Sequence, residues 1–426
     1  MSEVAFRFLH AGDFHLEEPV HGPADVPDSL REIFIDAPYL AAQKVFDTAV
    51  AERVDFVLLS GDLLEPRDAG PRALAFLQEQ FERLNSHGIA TYWAGGSVDR
   101  PDAWPTAIKL PGGVQIFPRG RVEELTHLRA DQPIATILGT SNSAWEALAE
   151  SDFRCDGNLF CIAVAYGRMN LSATARQSVD YWALGGMHQH EALGETTKYG
   201  SFCGSPQGRD LTETGPHGCL MVHVNAERKV RTQLVPTDAV RFLVDHVETE
   251  RDITRAELEK LLLDRAQALA AQHGDRRLVI DWRIHGAHRL ANGPRARLVA
   301  SDILSELRSR WDRGHGHVWP SGLEFEDATL PGEWYEEDSI LGDFLRGLRD
   351  EIKEGSDLLR CLRGGEHEEH GRPTGIDAEE AWSVQWQRIV SDAGVLGAQF
   401  LRPEVEMTGP LVESRRTSGT AREMPT

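Results

Sequence analysis

The stretch from Phe6 to Pro19, FRFLHAGDFHLEEP, starts as an apolar run, breaks at a glycine, and leaves an aspartate and a histidine two residues apart. Such a run reads as a strand leaving a sheet into a loop. In extended backbone, residues two apart point the same way, so Asp13 and His15 can reach one ion. The pattern recurs twice. Residues 54–66, VDFVLLSGDLLEP, form a continuous apolar strand with Asp62 in the loop beyond it, and residues 89–96, IATYWAGG, lead into Ser97, Val98 and Asp99. Helical patterns lie between these runs. One is YLAAQKVFDTAVAER, with Leu40, Val45 and Ala49 on a single stripe. The other is PRALAFLQEQFERLNSHG, which opens near Pro71 and stops at Gly88. Repeated strand-helix-strand units imply an α/β fold with a mainly parallel sheet, and function at the carboxyl ends of its strands.

Outward from this core, residues 105–225 turn strand-rich, with short apolar runs such as PIATILG, LFCIAVAY, YWALGG and GCLMVHV. A second sheet packed on the first is expected. Around 226–250 the chain becomes polar. A helix then starts at a Thr254–Glu257 capping box, carries Leu258, Leu261, Leu262 and Leu269, and ends at Gly274. The strand RLVIDWRIHG and the helix ASDILSELRSRW follow, so 235–325 reads as a small α+β domain. Ile340, Leu341, Phe344, Leu345, Leu348 and Ile352 share one helical face. That helix either covers a domain or docks on a partner. Residues 402–426 lack periodicity and are expected to be disordered.

The 426 residues exceed one ordinary core. The acidic balance, 45 basic against 67 acidic residues, argues against a broadly basic nucleic-acid surface. No apolar run is long enough to span a bilayer and the start has no leader pattern, so the expected location is cytoplasmic, with no membrane partner. Cys155, Cys161, Cys203, Cys219 and Cys361 form no C-x-x-C pair and are expected to be reduced, buried thiols.

Asp13, His15 and Asp62 could instead satisfy turns and cap helices. As metal ligands, mixed carboxylate and imidazole groups suit one divalent ion: manganese first, with iron or zinc as alternatives. The segment YWALGGMHQHE adds His188 and His190 just after a strand. His315 with His317, and His367 with His370, read as exposed loop pairs. The second of these pairs does not form the H-E-x-x-H pattern.

Taken in order, these motifs resemble the calcineurin-like metallophosphoesterases of the bacterial SbcD and YhaO type, DNA repair exonucleases that work beside an SMC-like ATPase. The resemblance implies a four-layer αββα sandwich over 1–228, an α+β capping domain over 235–325 and a C-terminal helical segment over 336–401. Asp13, His15, Asp62 and His188 match the family's first metal site, with Asp62 at the place that bridges two metals. The second site departs from the family. Ser97 stands where the family has asparagine, and Tyr166 and Gly186 stand where it has histidines. Val98 replaces the histidine that contacts phosphate, so no catalytic residue is assigned. His188 and His190 form the pair instead if the register slips.

The expected function is therefore a nuclease-derived phosphodiesterase of weak or absent activity, or a binding subunit of that ancestry. The alternatives are an active single-metal DNA exonuclease and a small-phosphoester hydrolase. The implied partners are an SMC-like ATPase of the SbcC/YhaN type and DNA, with a homodimer as a further expectation. Asp99 is expected to brace its loop.

Overall fold

The computed structural model describes residues 5–22, 26–105, 108–141, 152–155, 157–167, 178–193, 200–250, 252–291, 296–311, 317–326, 332–354, 390, 393–394, 397–398 and 400–401. The chain folds as two compact units. One draws on Met1–Val244, Ala266–Asp281 and Arg308–Ser321, the other on Asp245–Arg265, Trp282–Leu307 and Gly322–Thr426.

The first unit is built on β1 (Phe6–Ala11), β2 (Phe56–Leu59), β3 (Ala90–Trp93) and β4 (Val114–Ile116), which run parallel in that order. Two helices cover one face: α1 (Asp28–Ala51) and α2 (Gly70–Ser86). Strand alternation explains why the runs are apolar throughout. Phe8, Phe56, Leu58 and Tyr92 point into one core, while Leu9, Val57, Leu59 and Trp93 point into another beneath the helices. A strand buried on both faces reads as a continuous apolar run.

The second sheet contains β5 (Glu123–Arg129), β6 (Gln132–Thr140), β7 (Phe160–Tyr166), β8 (Tyr181–Gly185), β9 (Glu191–Ala192) and β10 (Gly200–Phe202), in the order β5-β6-β7-β8-β10-β9. Its Ile137, Ile162, Val164 and Tyr181 meet the first sheet's aromatic face. The opposite face packs Trp182 and Leu184 with Phe153 and Val179. The first sheet then continues antiparallel through β11 (Gly218–Val224) and β12 (Val230–Pro236). The result is the α/β sandwich expected from the sequence.

A three-stranded sheet follows in the order β13 (Val240–Glu248), β14 (Arg277–His285), β15 (Val318–Phe325). The longer helices that follow are α3 (Arg255–His273), α4 (Ala296–Trp311) and α5 (Ile340–Glu354). The α3 capping box forms as expected: Glu257 Oε2 accepts from Thr254 N at 2.9 Å, and Thr254 Oγ1 accepts from Glu257 N at 3.3 Å. On α5, Leu341 and Leu345 are buried against Trp334, Tyr335, Phe344 and Ala398, so this chain's own residues cover that part of the stripe, whereas Ile340 at its start is exposed.

Three expectations need correcting. Helix α1 begins eleven residues earlier than the sequence pattern indicated, because Leu30, Phe34 and Ala37 bury a further face and carry the helix through Pro38. Leu40 lies outside its buried stripe and is exposed. Cys155 and Cys161 form a disulfide, their Cα atoms 6.3 Å apart and within disulfide reach, whereas Cys203 and Cys219 are free and buried. Cys361, His315, His367, His370, the 402–426 tail and most of 336–401 lie outside the described residues. No helix among the described residues is long and apolar enough to cross a membrane.

The inter-sheet core carries a direct test. Phe56 is fully buried, with its ring centroid 5.0 Å from Phe8 and 5.8 Å from Tyr92. Phe56→Ala should cost about 3–5 kcal/mol, measured as a lowered urea midpoint.

Candidate metal centre

Asp13, His15, Asp62, Tyr166 and His188 lie beyond or at the carboxyl ends of β1, β2, β7 and β8. The loops after β1 and β2 run side by side: Asp13 N donates to Gly61 O at 2.8 Å, and His15 N donates to Asp62 O at 3.0 Å. Asp13, His15 and Asp62 all sit at positive φ, at 52°, 42° and 52°. Residues with a Cβ hold such backbone only where surrounding contacts enforce it, at about 1–3 kcal/mol each.

Asp13 is buried and accepts from Gly186 N at 3.0 and 3.1 Å, so the turn after β8 holds both of its oxygens. His15 is also buried, and neither of its ring nitrogens has a hydrogen-bond partner among the described residues. An orphaned buried imidazole is costly unless something binds it. His188 donates through Nδ1 to Glu213 Oε1 at 2.5 Å, which leaves Nε2 as the atom with a lone pair. Ligand atoms of Asp13, His15 and His188 all lie within 4.8 Å of one another. Two imidazoles and a carboxylate converging on one buried point fit a divalent transition metal. His190 is drawn aside, with its Nδ1 2.9 Å from Phe202 O.

Asp62 flanks this group, with its Oδ2 3.7 Å from His15 Nε2. Both of its oxygens are engaged elsewhere: Oδ1 accepts from Val98 N at 3.0 Å, and Oδ2 accepts from the Tyr166 hydroxyl at 2.5 Å. The Tyr166 ring is wedged beside Gly61, Gly96 and Gly186. A Cβ on Gly61 would lie 2.6 Å from it, and one on Gly186 would lie 3.1 Å from it.

Asp99 braces the loop as expected. Its carboxylate accepts from Gly96 N at 2.5 Å, Asp62 N at 2.9 Å, Leu63 N at 3.1 Å and Trp93 Nε1 at 2.9 Å.

Burial dominates the electrostatics. It pushes the Asp13 carboxyl up to about 8, with neighbouring Asp62 adding to the rise. It pulls the His15 imidazole down to about 2, helped by Arg209 and His188. Asp99 is raised to about 7 by burial and then by Asp62. Burial opposes charge on His188, but the Glu213 hydrogen bond and the field of Asp13 outweigh it, and its pKa rises.

The uncharacterized metallophosphoesterase YhaO of Bacillus subtilis (strain 168) is 32% identical to this chain over 233 residues, covering 51% of this chain and 57% of YhaO. Over that region the chain is similar to a metallophosphoesterase. It spans just over half the length of that curated relative. A crystal structure of a dimetal phosphatase from Danio rerio shares 12% identity, covering 55% of this chain and 96% of the phosphatase, at a TM-score of 0.32. That likeness is too loose to add weight. No family model matches the chain.

Around the metal centre, sequence reasoning missed Glu213 and Arg209. Arg209 is paired to Glu18 and donates its own amide to Glu213 Oε2 at 2.9 Å. Both lie in QGRDLTETGPHG, a polar loop with no periodicity. The signal available there was a carboxylate following a predicted ligand histidine.

Glu213→Gln should weaken divalent-metal binding by about 10- to 100-fold, because it loosens the Nδ1 partner that fixes His188. Competition against a metal-indicator dye measures this. A second expectation concerns pH. The folded Asp13 carboxyl sits near 8 against an ordinary 3.8, so the metal-free fold gains from this proton at low pH and loses that gain as pH rises through about 8. A bound divalent ion replaces the proton. The rise in Tm on adding manganese should therefore grow as pH climbs towards 8, as differential scanning fluorimetry would show.

Proposed function

We propose that this chain is a divalent-metal-binding phosphodiesterase of the SbcD/YhaO DNA repair type, with a single metal position and little or no nuclease turnover. The observation that carries the reading is the Tyr166 hydroxyl seated on Asp62 Oδ2, beside Gly186 and next to the Asp13–His15–His188 group. In a two-metal phosphoesterase the bridging carboxylate faces a second cation. Here that carboxylate accepts from a phenol.

Asp13, His15 and His188 would hold the ion, with Asp62 beside them, and manganese is the first candidate. A bound divalent ion would supply Lewis-acid polarisation of a phosphoryl oxygen. The chain's own residues supply little else. Burial, followed by the charges of Asp62 and Asp13, raises the Tyr166 phenol above its ordinary range, so it stays protonated and serves Asp62 as a donor. Val98 contributes its amide to Asp62, and its side chain has no proton to give a leaving oxygen. A missing general acid alone costs roughly 10²–10⁴ in rate. On this reading DNA and an SMC-like ATPase of the SbcC/YhaN type are ligand and partner, a homodimer stands as a further proposed assembly, and the cytoplasm is the compartment.

Manganese-dependent cleavage of linear duplex DNA by the full chain, run beside Asp62→Asn, tests the proposal. Turnover in the two proteins is expected to match. Turnover that disappears in Asp62→Asn would overturn the weak-activity reading in favour of a single-metal exonuclease.

A further inference from the structure

A second group of ligand atoms lies far along the sequence from the site above, wholly within the unit that includes Asp245–Arg265, Trp282–Leu307 and Gly322–Thr426. His246 is on β13, His285 is the last residue of β14, and Glu326 directly follows β15. Since β14 is the middle strand, its histidine stands between the other two residues. Local backbone bonds fix the three positions. Thr249 donates to His285 O through N at 2.9 Å and through Oγ1 at 2.8 Å, and Glu326 N donates to Ile284 O at 3.0 Å.

The side chains converge on one point. His246 Nδ1 lies 3.0 Å from His285 Nε2, and Glu326 Oε2 lies 3.1 Å from His285 Nε2 and 3.8 Å from His246 Nδ1. The two rings are nearly parallel, at 18°. Arg283 Nη1, paired with Glu324, lies 3.8 Å from the other carboxylate oxygen, Oε1. A tetrahedral ion with ligands at about 2.0–2.1 Å separates them by about 3.3 Å, and the three observed edges scatter around that spacing.

Hydrogen bonding alone serves this triangle poorly. His285 Nε2 carries at most one proton, yet both His246 Nδ1 and Glu326 Oε2 approach it. That proton satisfies one of them and leaves the other facing a lone pair. A cation at the centre satisfies all three.

We infer that His246, His285 and Glu326 form a second metal site, for a divalent transition metal such as zinc. Two imidazoles and one carboxylate are a zinc donor set, and magnesium or calcium would require more oxygens. The histidine on β13 is 58% exposed, so the site opens to solvent and keeps a fourth position for water. Bound zinc ties the ends of three strands together and adds its binding energy to that sheet.

The site is tested by titrating zinc into the chelator-stripped full chain against a chromophoric zinc indicator. The full chain should bind one zinc equivalent more than His246→Ala or His285→Ala, each shown by circular dichroism to be folded. Glu326→Gln, the mildest change, should weaken that same equivalent. His188→Ala belongs to the other centre and should retain it, so failure of either site is visible separately. Equal zinc uptake and affinity in the full chain, His246→Ala, His285→Ala and Glu326→Gln would overturn the inference.

Discussion

The carboxylate of Asp99 is the constraint on which the metal centre depends. It is buried, and it gathers four donors from two loops: the amides of Asp62 and Leu63 after β2, and the Gly96 amide and Trp93 indole around the end of β3. Those bonds hold Asp62 at positive φ and aim its side chain at Tyr166 and Val98 N. A buried carboxylate is tolerated only when its lone pairs are occupied, and these four donors meet that requirement. Burial raises the pKa values of Asp13, Asp62 and Asp99, and the charge of Asp62 adds to the rise at the other two. The pocket therefore favours a cation or a proton over an empty, charged state.

The second constraint is the sandwich itself. β1, β2 and β3 are committed on both faces, one to the aromatic inter-sheet core and one to the helices. Neither face is free for chemistry, so it gathers at the strand ends, where Gly61 takes a φ of 95° and Gly12, Gly95 and Gly96 have no room for a Cβ. The centre is rigid because its ligands hang from the ends of strands whose interiors are close-packed.

Much of this was legible in the sequence. The runs at 6–11, 54–59 and 89–94 announced buried parallel strands, and Asp13, His15, Asp62 and His188 stood out because each follows such a run. Asp99 was legible too, as a lone acid left in place after Gly96. Other features were hidden for physical reasons. Helix α1 passes through Pro38, a residue that normally ends a helix, because tertiary burial of Leu30 and Phe34 outweighs the lost bond. Strand β12, VRTQLVP, alternates polar and apolar residues in a stretch that reads as merely polar, and only pairing with β11 reveals it. The disulfide between Cys155 and Cys161 rests on proximity, which no spacing rule for these five cysteines supplied. Glu213 reaches His188 from a loop 25 residues away and carries no local mark.

Tyr166 and Gly186 occupy one volume between them. A side chain at 186 begins 3.1 Å from the tyrosine ring and must also accept a φ of 92°, while removing the ring would open space beside both Gly61 and Gly186. In the language of sequence change, the two positions are epistatic. A larger residue at 186 becomes admissible only after position 166 has shrunk or turned away, so the order of substitutions is set by sterics before any question of chemistry arises. Drift at this corner of the site is therefore directional, and the pair behaves as a ratchet with its pawl at Tyr166.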